Sequence, residues 1–310
     1  MKVFFLCLSL LVSLFCMSCS DNVDYASQGD EKFLVISSQR GHGLGNRLRA
    51  LASGYALAKQ TGRTFVIDWQ PSSDEVPVSF NDLFKNEILT PANKTLNLDK
   101  ARKINVNSLA KDGLIEISVD MGDQARVIQI ESYFRFINKD LSFDDIKNDY
   151  VNFLKKLTPV DEVSKIVENF SESILGVSME DRIGVHFRSF ALPSDSNFKA
   201  KNPLEERRIA MLNAIEQQLE NNKQSQFFIA TDDPEILLRM KQKFDSRIIS
   251  REICVDRSTL GGMLNALADW YLLTRTIKVI GTIDSSFSDE AALLTATGQK
   301  IGVGPGFFHD

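Results

Sequence analysis

The chain is poor in the residues that staple or metallate a fold. Of its four cysteines only Cys254 lies beyond Cys19, so no disulfide can join two core residues. Three histidines beside one core cysteine supply no zinc-ligand cluster. Positive charge does not predominate either. Against 41 Asp and Glu stand 36 Lys and Arg, a net charge of -5, which excludes the basic footprint expected of a nucleic-acid partner. No internal repeat or low-complexity tract is present. What is there is ordinary for a soluble globular protein: 310 residues, 43% hydrophobic and 25% charged, enough for one large or two medium domains.

The first residues stand apart from the rest. Met1-Lys2 is a short basic start, Val3–Phe15 an apolar run, and Met17-Ser18-Cys19-Ser20 a small-residue cleavage site. This architecture predicts a secretory signal over residues 1–19, too short for a comfortable membrane span. Ser18 before Cys19 points to a bacterial lipoprotein signal with Cys19 lipidated, plain cleavage or retention as an anchor being the alternatives. The expected location is exported or membrane-associated: the bacterial envelope, or a secretory lumen in a eukaryotic host. Residues 20–32 are polar and acidic without periodicity and read as a linker.

Two α/β domains are then expected, over residues 33–178 and 179–310. The first opens with strand Phe33–Ser37, a glycine-rich turn Gly41-His42-Gly43-Leu44-Gly45, helix Asn46–Lys59 and strand Thr64–Trp69. Its glycine spacing matches neither the dinucleotide fingerprint nor a Walker loop, which disfavours a dinucleotide oxidoreductase. Strands at Leu114–Val119 and Arg126–Glu131 and helices at Phe143–Leu157 and Val160–Leu175 follow. The second half alternates regularly: strand Ile183–Phe187, helix Pro203–Asn221, strand Phe227–Ala230, helix Pro234–Phe244, strand Arg247–Ser250. It continues with helix Gly261–Thr274, strand Lys278–Gly281, helix Ser286–Ala296 and strand Lys300–Val303. Such alternation predicts a doubly wound parallel sheet. Asp232-Asp233-Pro234-Glu235 signs one helix start, and Ser286-Phe287-Ser288-Asp289 has capping-box spacing at another.

The centre of interest is Ile183-Gly184-Val185-His186-Phe187-Arg188. Alternation along a strand puts His186 and Arg188 on one face at the carboxyl end, where open parallel sheets bind ligands. Thr231-Asp232-Asp233 and the Thr282–Ser288 loop end two further strands. Ser285, Ser286 and Ser288 surround a helix start whose unpaired N–H groups attract anions, although without Arg188 in view simple capping is the favoured explanation of the serines. With Arg188 as a bidentate cation they form a candidate diphosphate clamp.

Here the sequence resembles a known family. Ile183–Arg188 is similar to the His-x-Arg strand of the GDP-fucose-dependent fucosyltransferases. Phe228-Ile229-Ala230-Thr231-Asp232-Asp233-Pro234 resembles their second conserved stretch. Leu267-Ala268-Asp269 through Gly281-Thr282, with Ser285-Ser286-Phe287-Ser288, resembles the third. Gly43-Leu44-Gly45-Asn46-Arg47-Leu48 with Ala52-Ser53-Gly54 resembles their N-terminal loop and helix. The resemblance implies the GT-B fold, two Rossmann-like domains facing a cleft, and an inverting, metal-independent transfer of L-fucose from GDP-fucose to a glycan or protein hydroxyl. It implies that Arg188 holds the β-phosphate, that His186 and Asp269 contact guanine and ribose, and that Ser285, Ser286 and Ser288 bind phosphate. Gly43, Gly45 and Asn46 would approach the diphosphate and fucose from the other domain. GDP-fucose is the donor substrate, and no metal or other cofactor is implied. The absence of an Asp-x-Asp motif agrees.

Asp195 and Glu205 follow the Arg188 loop and are candidate general bases. Ser189 stands where the α-1,6 enzymes carry a second arginine, so acceptor and linkage do not transfer from that subgroup. An alternative is a non-catalytic envelope lipoprotein that keeps the fold and binds carbohydrate or a protein partner. An exported bacterial protein would be separated from cytosolic GDP-fucose.

Overall fold

The computed structural model describes residues 31–38, 43–72, 76–106, 114–174, 176–189, 203–253, 256 and 258–304. The expected signal segment, Cys19, Gly41, Asp195 and Cys254 lie outside them. Among the described residues no helix is long and apolar enough to cross a membrane. Lys32–Asp310 forms one compact unit containing two sheet-centred lobes.

The first lobe is built on β1 (Phe33–Ser38), α1 (Leu44–Thr61) and β2 (Thr64–Trp69), which form the expected parallel pair with a helical crossover. β3 (Arg102–Val106), β4 (Leu114–Ile117), β5 (Val127–Ser132) and β6 (Arg135–Asn138) follow. The main sheet is parallel in the order β2-β1-β5-β3, and β4 and β6 pair separately. β3 and β6 were not among the expected strands. Arg102-Lys103 and Arg135 put charge at their starts and interrupt the apolar run by which a short strand is read.

α1 lies across one face of this sheet, so closely that a Cβ on Gly54 would meet Ile36 Cγ1 at 2.1 Å. Gly62, in the left-handed region at φ 62°, closes the helix. α2 (Phe143–Lys156) starts with a Ser142/Asp145 capping box and ends in Lys155 and Lys156, charges that match the helix dipole. α3 (Asp161–Ser173) completes the stretch before the second sheet.

The second lobe carries β7 (Ile183–Phe187), α4 (Leu204–Asn221), β8 (Phe227–Thr231) and α5 (Pro234–Phe244). β9 (Ile248–Ser250), α6 (Leu260–Thr274), β10 (Val279–Thr282), α7 (Ser286–Ala292) and β11 (Lys300–Val303) complete it. Its parallel sheet has the order β11-β10-β7-β8-β9. The strand order reverses between β7 and β10, which places the topological switch point there. Asp233 caps α5 as its sequence announces, accepting from the N–H groups of Glu235 and Ile236. The capping box expected at Ser286 does not form. Ser285 rather than Ser286 is the N-cap, without a side-chain cap bond, which puts Ser288 at the third helical position, and Asp289 pairs with Arg49 and Lys300. α7 also stops at Ala292, four residues short of the expected end.

One apolar core runs through both lobes. It joins Leu34, Ile36 and Leu48 of the first to Phe228, Met263 and Leu272 of the second. Phe170 of α3 meets Phe228 of β8 edge-on, with ring centroids 5.6 Å apart. A second core on the opposite face of the second sheet gathers Val185, Phe187 and Ile229 under Met211, Ile215 and Met240.

Candidate functional site

The switch point of the second lobe faces the start of α1, and the groups that meet there form a crevice of about 90 Å³. Its walls include Gly43 and Gly45 from the first lobe and His186, Arg188, Asp232, Asp269, Ser286 and Phe287 from the second. Six residues singled out for a ligand therefore converge: Gly43, Gly45, His186, Arg188, Asp269 and Ser286.

Each arrives for a local reason. His186 is the last residue but one of β7, in register with Ala230 and Gly281, and is 8% exposed. Its imidazole stacks on the Phe287 ring, centroids 4.8 Å apart and 30° from parallel. Arg188 sits where β7 ends. Its N–H donates to Thr282 Oγ1 at 3.0 Å, which ties the two loops together across the switch point. Arg207 of α4, 2% exposed, donates to the carbonyls of Arg188 (2.9 Å) and Ser189 (2.8 Å). The Ser189 N–H donates to Asp232 Oδ1 at 2.6 Å. The turn after β7 is thus held from three sides, a preorganised base for its cation.

Asp269 projects from α6, and its Oδ1 accepts from Arg251 Nη1 at 2.8 Å. Burial pushes this carboxyl up to about 6, with Arg251 working in the opposite direction. Asn265 Oδ1 also accepts from Arg251, so the arginine bridges two residues one helical turn apart.

α1 and α7 bring their first turns together. A Cβ on Gly45 would lie 2.5 Å from Phe287 N and 2.7 Å from Ser286 C, so only glycine allows this approach. Neither helix has a side-chain cap bond, whereas α2, α5 and α6 do. First-turn N–H groups, which have no acceptor within a helix, thereby border the crevice from both lobes.

The other expected residues among those described do not line it. Asn46 is half-buried on the first turn of α1. Ser285 is 1% exposed, and its Oγ has no partner among the described residues. Ser288 is fully buried and donates to the Ser285 carbonyl at 3.1 Å, the behaviour of a local helix bond. Glu205 is on the exposed side of α4 in ion pairs with Arg208 and Arg239, away from the crevice.

Sequence reading missed the polar cluster behind α7. Glu290, fully buried, accepts from Arg49 Nε (3.0 Å), Arg135 Nη2 (3.0 Å) and the Tyr150 hydroxyl (2.6 Å), all from the first lobe. Asp289 accepts from Arg49 Nη2 at 2.7 Å and pairs with Lys300. Burial works to raise the Asp289 carboxyl, but Lys300, Arg49 and Arg135 overcome it and hold it below the usual range. Burial and the Glu290 charge together push the Tyr150 phenol well above its usual value, so it stays a donor. Only the density of Arg and acid near positions 47–49 and 289–290 hinted at this cluster. Its partners are 240 or more residues apart for Arg49 and 155 for Arg135.

No family model matches the chain, and no curated protein does. Solved structures do. The NodZ alpha-1,6-fucosyltransferase soaked with GDP-fucose is 20% identical at a TM-score of 0.57, covering 86% of this chain and 93% of that one. Fucosyltransferase NodZ from Bradyrhizobium is 21% identical at 0.58, covering 86% and 94%. A point mutant of Arabidopsis thaliana FUT1 in complex with GDP is 16% identical at 0.52, covering 86% and 69%. The chain has the GT-B fold that these fucosyltransferases share.

Proposed function

We propose that the protein transfers a fucosyl group from GDP-fucose to a hydroxyl acceptor. The observation that carries this reading is the placement of Arg188 and the uncapped starts of α1 and α7 around one crevice at the switch point. When a sugar C1–O bond to a nucleoside diphosphate breaks, negative charge grows on the diphosphate. Donors fixed in advance at that position lower the barrier without reorganising. Arg188 supplies a permanent cation with a planar fork suited to phosphate. The N–H groups of the two helix starts add positive ends that need no counterion. Asp269, at the α6 side of the crevice, is an acceptor suited to the paired N–H donors of guanine. Displacement at C1 from the face opposite the departing diphosphate inverts the anomeric centre. That the neighbours of this fold include one soaked with GDP-fucose and one in complex with GDP supports the donor.

One observation favours a second reading, a non-catalytic scaffold. The crevice of about 90 Å³ is small beside the ~300–1,000 Å³ of ordinary ligand sites. The transferase reading therefore requires the crevice to widen when nucleotide binds.

Thermal melting of the full chain with GDP, with UDP and with NAD separates the readings. GDP alone should raise the melting temperature, and Arg188→Ala should abolish the rise. GDP release from GDP-fucose should fall by about 10²–10³ in the same variant, the usual effect of removing one charge-stabilising donor. A folded wild-type chain that ignores GDP overturns the proposal in favour of the scaffold.

A further inference from the structure

We propose that the buried polar cluster behind α7 is a brace that sets the geometry of the crevice, with Arg49 and Lys300 as positioning residues for Arg188. Arg49 stands four residues after Gly45 on α1, and Glu290 four residues after Ser286 on α7. Four residues is about one helical turn, so the joined side chains lie directly behind the two helix starts that meet at the crevice. Arg49 Nε donates to Glu290 Oε1 at 3.0 Å, and Arg49 Nη2 donates to Asp289 Oδ2 at 2.7 Å. One planar guanidinium thus holds both carboxylates of α7. A two-point contact of this kind restricts rotation of one helix against the other as well as their separation.

The brace is anchored at both ends. In the first lobe, Arg135 Nη2 donates to Glu290 Oε1 at 3.0 Å. The Tyr150 hydroxyl accepts from Arg135 Nε at 3.2 Å and donates to Glu290 Oε2 at 2.6 Å. This closed triangle fixes both oxygens of the carboxylate. In the second lobe, Asp289 pairs with Lys300 of β11, whose Nζ also donates to the Thr282 carbonyl at 3.0 Å. Thr282 Oγ1 in turn accepts the Arg188 N–H at 3.0 Å. Contacts therefore pass from residue to residue, from Arg49 through Asp289, Lys300 and Thr282 to the turn that carries Arg188.

Cohesion does not call for such a cluster. One apolar core already joins the lobes. Three cations and two carboxylates taken out of water add little net stability, and apolar side chains of similar volume often do as well or better. What charge-assisted hydrogen bonds supply beyond apolar contacts is direction. Direction matters here, because a Cβ on Gly45 would lie 2.5 Å from the Phe287 nitrogen. A small slide of either helix reshapes the crevice between them.

The catalytic consequence rests on the transferase reading. Arg188 must already stand where charge grows on the departing diphosphate, and a misplacement of about 1 Å can cost up to about 10²-fold in rate. Neither Arg49 nor Lys300 lines the crevice, so both act on the reaction through the groups they hold.

The test compares two variants of the full chain. Arg49→Lys keeps the charge but cannot fork, and Lys300→Met keeps the stem packed near Gly281 but removes the ammonium. Turnover is read as GDP release from GDP-fucose. In both variants kcat should fall about tenfold or more, while KM for GDP-fucose moves by less than about threefold. Gly62→Ala, strained at φ 62° at the far end of α1, is the destabilised control and should lose melting temperature but not kcat. Amide NMR shifts of Gly45 and Phe287, recorded without nucleotide, should move in both variants. The proposal is overturned if the variants melt earlier yet keep kcat, as a merely structural cluster would. It is overturned equally if only Lys300→Met loses turnover, since charge rather than geometry is then at work, or if the two amide shifts stay as in the wild type. A wild-type chain that neither binds GDP nor turns over GDP-fucose sinks the transferase reading. The brace then stands if both variants move the Gly45 and Phe287 shifts, and falls if they do not.

Discussion

The two main sheets are both parallel, yet they are finished differently. The second-lobe sheet is sealed on both faces, by Met211, Ile215 and Met240 on one side and by Met263, Leu267 and Leu272 on the other. Among the described residues the first-lobe sheet is sealed on one face, while on the other only Phe33, Val35 and Val66 are packed under apolar side chains. The sealed sheet spends its polar residues at strand ends, where His186 and Arg188 meet the crevice. The first-lobe sheet has them along its strands at Ser37, Asp68, Gln129 and Glu131. A sheet buried twice can present chemistry only at its carboxyl edge. A sheet with polar side chains along its strands can also present it across a face.

The strongest challenge to this contrast is to cut what joins the lobes. Glu290→Ala would leave Arg135 facing Tyr150 without its carboxylate, and loss of one partner in a buried ion pair costs about 3–5 kcal/mol. Because one apolar core spans both lobes, thermal unfolding should remain a single transition at lower temperature. Two separated transitions would show that the lobes fold independently and that the shared core does not couple them.

Next in size is Gly45→Ala. A methyl group 2.5 Å from a backbone nitrogen must push α1 from α7, at a cost of about 1–3 kcal/mol by denaturant titration. Nucleotide binding should weaken in parallel, since the same contact shapes the crevice. Unchanged stability would mean that the close approach is not maintained in solution.

The smallest effect concerns pH. Asp269 holds its proton to about 6 in the folded chain against an ordinary 3.8. Between these values the folded state binds the extra proton, so this group's contribution to stability falls as pH rises from about 4 to about 6 and is level above. GDP affinity should run the other way, because guanine needs the ionised acceptor. It should drop by up to about tenfold per pH unit below 6, and Asp269→Asn should flatten the profile. A profile unchanged in that variant would remove Asp269 from the nucleotide site.

Much of the second lobe was legible in advance. β7, β8 and β10 are short apolar runs closed by turn residues, and Asp233-Pro234-Glu235 announces α5 through local hydrogen bonding alone. The first lobe was less so. Val127-Ile128-Gln129-Ile130-Glu131 alternates, the pattern of a strand with one wet face, although its neighbours pair with it in parallel. Taken together, that alternation and the parallel pairing mark a polar stretch on one face of the sheet. The pattern by itself does not, because alternation is commonplace in antiparallel sheets.

Local chemistry in the chain therefore determined which segments are strands and helices, where α5 and α2 begin, and that Arg188 ends a strand. These depend on residues within one or two turns of each other. Only the tertiary structure decided that Gly45 serves the contact with Phe287, and that Asp289 leaves its cap for Arg49 and Lys300. It alone buried Glu290 among donors from the other lobe. Each of those outcomes depends on groups far apart in the chain, whose meeting no local propensity encodes.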